Sequence, residues 1–123
     1  MVCLDTDFLI AYLRNNSEAK TKLEELALRE EPLYTTTINA FELYKGAKNS
    51  NETSKVEKLL DVFYMLVMDR ESAKMAGAIH NRSHSIGEAD LMIACITISN
   101  KQALLTRNKK HFAQISGLKI EGW

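Results

Sequence analysis

Short apolar runs, each closed by a polar side chain and separated by stretches of helical periodicity, constrain the fold of this 123-residue chain more than any other feature. Val2-Cys3-Leu4 reads as a strand buried on both faces and ends in Asp5-Thr6-Asp7, because strands covered by helices on either side show continuous rather than alternating hydrophobicity. Leu33-Tyr34-Thr35-Thr36 reads as a second strand and Met65-Leu66-Val67-Met68 as a third, ending at Asp69. Ala103-Leu104-Leu105-Thr106 is the fourth, and Leu118 to Trp123 the fifth.

The intervening segments carry helix signals. Phe8 to Leu13 forms a short helix ending near Arg14-Asn15-Asn16, and Ser17 is placed to cap the next, whose apolar stripe is Ala19, Leu23, Leu26 and Ala27. Pro32 marks its break. Thr37 is the expected N-cap of a helix through Ile38, Phe41 and Tyr44, with a stop near Gly46. Glu52 to Phe63 and Glu71 to Ser83 continue the pattern. After Ile86-Gly87, Ala89 to Ile98 is apolar nearly all round and so is expected to be buried on most sides. A short helix is expected over Lys109 to Gln114.

Strands alternating with helices predict an α/β fold, a three-layer α/β/α arrangement around a central, mostly parallel sheet of about five strands. Right-handed crossovers put the carboxyl ends of the strands on one edge, where open α/β sheets bind ligands. The length fits one domain over residues 1–123. Cys3 and Cys95 sit in apolar surroundings without CxxC spacing and are expected to be buried free thiols of a cytoplasmic protein. The N-terminus carries an acid and no basic run, unlike a signal peptide, and no apolar run approaches the ~18 residues of a membrane span. Sixteen basic residues balance sixteen acidic ones, which argues against binding nucleic acid by phosphate neutralisation alone.

Function therefore rests on a site. Asp5 directly follows the first strand and Asn108 follows the fourth. Glu42 lies little more than one turn into the helix after strand two, and Asp90 in the first turn of the buried helix. Singly, each has a structural reading: Asp5 and Asp7 as caps, Asp90 as a first-turn acid favoured by the helix dipole, Glu42 as a solvated residue, Asn108 as an N-cap. Together they place oxygen donors from separate segments at one edge. Clustered carboxylates repel, so one is expected to hold a proton unless a cation is present. Mg²⁺ or Mn²⁺ is the matching cation, able to lower the pKa of water and polarise a phosphoryl oxygen.

The same residues carry a family resemblance. Val2-Cys3-Leu4-Asp5-Thr6-Asp7, Thr37 to Gly46, Ile86 to Ala94 and Leu105 to Phe112 resemble, in order, the four motifs of PIN domains, and of the VapC toxins in particular. The resemblance covers the whole chain. It implies a PIN-like fold and a Mg²⁺- or Mn²⁺-dependent endoribonuclease, a homodimer, often paired with a short antitoxin that blocks the site. Asp5 and Asp90 would be metal ligands, and Glu42 would complete the cluster and orient or deprotonate water. Thr6 and Thr106 would offer hydroxyls, and Arg107 would meet RNA phosphate. Many family members place Asp where this chain has Asn108, which puts a second metal in doubt.

Three other readings stay open. A haloacid-dehalogenase-type phosphohydrolase shares the Asp-x-Asp of residues 5–7, although Leu9 stands where a small β-branched residue is usual. A receiver-like signalling module would use Asp5 and Asp7 for Mg²⁺ and Asp69 as phosphate acceptor. A PIN-like module that binds RNA or protein without cutting is motivated by Asn108. His80 and His84 are one turn apart but lack a third zinc ligand. His111 is expected to pack or cap, and Lys101, Arg107, Lys109 and Lys110 offer a small basic rim.

Overall fold

The chain, seen in a computed structural model that describes residues 1–83 and 85–123, is built on one sheet. Its strands are β1 (Val2–Leu4), β2 (Tyr34–Thr36), β3 (Tyr64–Leu66), β4 (Ala103–Leu105) and β5 (Lys119–Glu121). They lie in the order β3-β2-β1-β4-β5, and every pairing is parallel. Cys3 pairs with Tyr34 on one side and Leu104 on the other, so β1 is central. The helices among the described residues are α1 (Thr6–Leu13), α2 (Ser17–Leu28), α3 (Thr37–Gly46), α4 (Ser50–Leu60), α5 (Arg70–Arg82), α6 (Glu88–Ser99) and α7 (Lys109–Phe112). The expected α/β/α fold is present, with the sheet wholly rather than mostly parallel.

Alternation along the strands divides the core into two layers. Val2, Leu4 and Leu105 pack with Phe8, Leu9, Leu26, Leu43, Val56 and Leu60, from α1 to α4. Cys3 and Leu104 face the other way, onto Ala76, Leu91, Ile93, Ala94 and Phe112, from α5 to α7. The all-round apolarity of α6 has its expected cause, since Leu91 and Ile93 to Thr97 are all buried. Thr97 is tolerated there because its hydroxyl donates to the Ile93 carbonyl at 2.7 Å. Both cysteines are free and buried, and burial pushes the Cys3 thiol up to about 12 and that of Cys95 up to about 11.

Several boundaries differ from expectation for local reasons. Asn16, not Ser17, caps α2, its side chain accepting from the Ala19 N–H at 2.9 Å. Thr36, not Thr37, caps α3 in a reciprocal box with Asn39. β3 starts one residue early, at Tyr64, whose N–H donates to the Leu33 carbonyl and whose ring lies 5.8 Å from that of Tyr34. It stops at Leu66 because Asp69 forms a capping box with Ser72 that draws the chain into α5. The Asp69 carboxylate accepts from both the N–H and the hydroxyl of Ser72 at 2.8 Å, a capping role rather than that of a phosphate acceptor. His84, half of the spaced histidine pair, lies outside the described residues.

Candidate active site

The chain runs from β1 outward through β2 to β3, then returns to the other side of β1 for β4 and β5. The two halves therefore part between β1 and β4, and ligands of open α/β sheets bind at such a switch point. Asp5 follows β1 and Thr106 follows β4 at that crevice. The Asp5 N–H continues the ladder onto the Leu105 carbonyl at 3.0 Å, which fixes the backbone from which its carboxylate springs. Asp5 occupies the N-cap position of α1 but makes no side-chain cap bond.

What the carboxylate does instead is face its neighbours. Oδ2 accepts from the Thr106 hydroxyl at 2.8 Å, and Oδ1 accepts from the Asn39 amide at 3.2 Å. Thr106 also lies 3.2 Å from Asp7 Oδ2 and accepts the Asn108 N–H at 3.1 Å. Asp7 Oδ2 accepts the Arg107 N–H at 2.9 Å, while its Oδ1 is buried without a partner. Asp7 is thus no helix cap; it braces the loop after β4.

Asn39 organises the other side. Its amide nitrogen donates to Asp5 and, at 2.9 Å, to the Thr6 hydroxyl, and its oxygen accepts from the Thr36 N–H and hydroxyl. The Thr6 hydroxyl in turn donates to Glu42 Oε1 at 2.6 Å. A continuous chain of hydrogen bonds thus links Thr36, Asn39, Thr6 and Glu42 to Asp5. Asp90, in the first turn of α6, is flanked on its outer side by His111, with Nε2 3.0 Å from its Oδ2. His111 packs as expected, its ring edge-on to Phe112, and the short α7 also brings it beside the acid.

Electrostatics follow from burial. Asp5 is only 5% exposed. Desolvation pushes its carboxyl up to about 7, with the charges of Asp7 and Asp90 adding to the rise and the Thr106 hydroxyl opposing it. A proton or a cation would relieve this site. The donors are hard oxygens, the buried Oδ1 of Asp7 lacks a partner, and a like-charged acid stands on either flank, all of which fit Mg²⁺ or Mn²⁺. Among the described residues, no three carboxylate, histidine or cysteine groups form a ready cage, and Glu42 is tied to Thr6 rather than turned wholly to Asp5.

The remaining candidates sit at the rim. Asn108 is exposed and makes no side-chain cap bond. Arg107 stacks 3.7 Å over the Trp123 ring, donates to the Trp123 main-chain oxygen and pairs with Glu18 at 2.7 Å. Trp123 in turn packs edge-on against the buried Phe8, 5.1 Å between centroids. Lys109 and Lys110 are exposed nearby in sequence.

Fold and site together define an open parallel α/β domain with an acidic centre at its switch point. The chain belongs to the PIN domain family, whose model matches residues 2–118. It is 30% identical to Ribonuclease VapC1 of Methanocaldococcus jannaschii, over 97% of this chain and 85% of that protein. The structure of VapBC-1 from nontypeable Haemophilus influenzae superposes with a TM-score of 0.86 at 27% identity, covering 100% of this chain and 98% of the other. DNA-bound VapBC from Salmonella typhimurium gives 0.86 at 28% identity, covering 99% and 97%. The family and VapC-like resemblance read from the four motifs is borne out. Dehalogenase and receiver readings are thereby set aside.

Proposed function

We propose that this chain, as one domain over residues 1–123, is a VapC-like toxin, a Mg²⁺- or Mn²⁺-dependent endoribonuclease. The observation that carries the reading is the burial of Asp5 between Asp7 and Asp90 at the switch point, an arrangement that divalent charge stabilises. Asp5 and Asp90 would hold the cation, with Glu42 completing the set. When bound, the cation supplies positive charge for the scissile phosphate and lowers the pKa of water.

The chain's own residues do the rest. Thr106 and Asn39 fix both oxygens of Asp5, so that its position is set before substrate arrives. Glu42, oriented through Thr6, is the base that orients water and takes its proton, and the reaction is hydrolysis with no covalent enzyme intermediate. Thr6 and Thr106 supply hydroxyls beside the substrate. Arg107, Lys109 and Lys110 form the rim that meets RNA phosphate, offsetting the zero net charge of the whole chain. Asn108 brings an amide and no charge, which favours one cation over two.

A cognate antitoxin, a homodimer and a cytoplasmic setting belong to the same reading. Solved relatives named as VapBC and toxin–antitoxin complexes support the partner, and no described helix is long and apolar enough to cross a membrane. A second reading, an RNA-binding domain that does not cut, is favoured by Asn108 alone. Incubating purified protein with end-labelled structured RNA in Mg²⁺, Mn²⁺ or EDTA separates the two. Fragments that appear with metal and vanish with EDTA support the nuclease; retained RNA without fragments in any metal supports the binding module.

A further inference from the structure

We propose that His111 is a positioning residue of the metal site, its Nε2–H holding one oxygen of Asp90 so that the other serves the cation. The inference rests on the metal-dependent reading above and adds a residue to it. Nε2 stands 3.0 Å from Asp90 Oδ2, and both side chains are partly shielded, 26% and 32% exposed. The imidazole is itself braced edge-on by Phe112, 5.7 Å between centroids, and Phe112 is wholly buried. A histidine so anchored offers a fixed donor, unlike a free surface pair, which contributes little.

The segment's layout gives the pairing its meaning. Asp5 and Asp90 lie 85 positions apart in the chain, and each faces a side chain from the single stretch Thr106–His111. The Thr106 hydroxyl donates to Asp5 Oδ2 at 2.8 Å, and five residues on, the His111 imidazole lies 3.0 Å from Asp90 Oδ2 at ion-pair distance. One loop and one short helix therefore set the spacing of two acids that no main-chain ladder joins. Ligating carboxylates are commonly oriented by such outer hydrogen bonds, whose removal weakens metal binding by about 10- to 100-fold.

The test is Mn²⁺ titration of the metal-free protein without RNA, following the electron paramagnetic resonance signal of free Mn²⁺, on wild type, His111→Ala and His111→Gln. Thermal melts check that each variant is folded. Expected is a loss of about 10-fold or more in Mn²⁺ affinity for His111→Ala and recovery of most of it by His111→Gln, whose amide N–H can replace the donor. Pulsed spectra of wild type should lack the coupling of a directly bound nitrogen. Unchanged affinity in His111→Ala beside a wild type that binds Mn²⁺ would overturn this inference alone. So would a directly bound imidazole nitrogen, or a folded His111→Gln as weak as His111→Ala. A wild type that binds no Mn²⁺ would overturn the metal reading and this inference with it.

Discussion

Asn39 is fully buried and bonded on both ends of its amide, so Asn39→Ala should be among the costliest single changes near the site. Its oxygen accepts from the Thr36 N–H and hydroxyl, and leaving that buried N–H without a partner costs about 1 kcal/mol or more. Its nitrogen donates to Asp5 and Thr6, and a hydrogen bond to a carboxyl group contributes about 1.5–3 kcal/mol when that group is ionised. Allowing for shared relaxation, the variant should lose about 3 kcal/mol. An unfolding entropy of about 2.1 cal/mol/K per residue gives about 0.26 kcal/mol/K for 123 residues, so the melting temperature should fall by about 12 °C. Asn49→Ala is the matched control: Asn49 caps α4 by accepting from Glu52 N–H at 2.9 Å but touches no site residue, so it should lose only about 1 kcal/mol. Urea and thermal unfolding of both variants in EDTA measure the difference. If Asn39→Ala cost no more than Asn49→Ala, the amide would be acting as a cap only, and its role in fixing Asp5 would be refuted.

Other consequences are as specific. Lys101 ends α6 with φ 56°, a left-handed conformation that costs an L side chain about 1–2 kcal/mol and glycine nothing. Lys101→Gly should therefore raise stability by about 1 kcal/mol in a urea melt, and a loss would contradict the strain. Asp5, with its folded pKa raised from 3.8 to about 7, binds its proton more tightly folded than unfolded. Its contribution to stability is fully present below the unfolded value and is lost as pH rises through the folded one. The stability of wild type relative to Asp5→Asn in EDTA should thus fall between about pH 4 and about pH 7 and then level; a difference independent of pH would refute the raised value. Glu121 has the opposite sign: Arg29, then Lys22, lower its pKa from 4.5 to about 2. Glu121→Gln should cost less than about 1 kcal/mol at neutral pH, because the network is largely solvated, and the difference should vanish as pH falls through about 2.

The sheet was legible because each strand announces itself as an apolar run closed by a polar residue, a signal that survives without partners. Asp5, Glu42 and Asp90 were legible as candidates for the same reason, since topology alone brings the ends of parallel strands together. What the sequence hid is the bonding between side chains far apart in the chain. Asn39 reaches Asp5 and Thr6 across 34 and 33 positions, and Asp7 reaches Arg107 across 100. Thr36-x-x-Asn39 departs from the usual Ser/Thr-x-x-Glu/Gln capping box, and the adjacent Thr37 offers a cap of equal local quality. In sequence His111 shows only its apolar neighbour Phe112, which points to packing and nothing more. Only the fold puts the start of α6 beside it. The stack of Arg107 on Trp123 was not legible either, because it depends on a contact between the loop after β4 and the last strand's continuation.

The central claim is that the acids at the switch point hold the metal that lets this chain cut RNA. Its most direct test compares wild type, Asp5→Asn and Asp90→Asn on the same end-labelled RNA in Mn²⁺, with Mn²⁺ binding and thermal melts measured on the same samples. The account predicts cleavage by wild type alone, with both variants folded, weakened in metal binding and slower by at least about 100-fold, as expected when charge stabilisation of the transition state is removed. Folded variants that cut RNA as fast as wild type would contradict it.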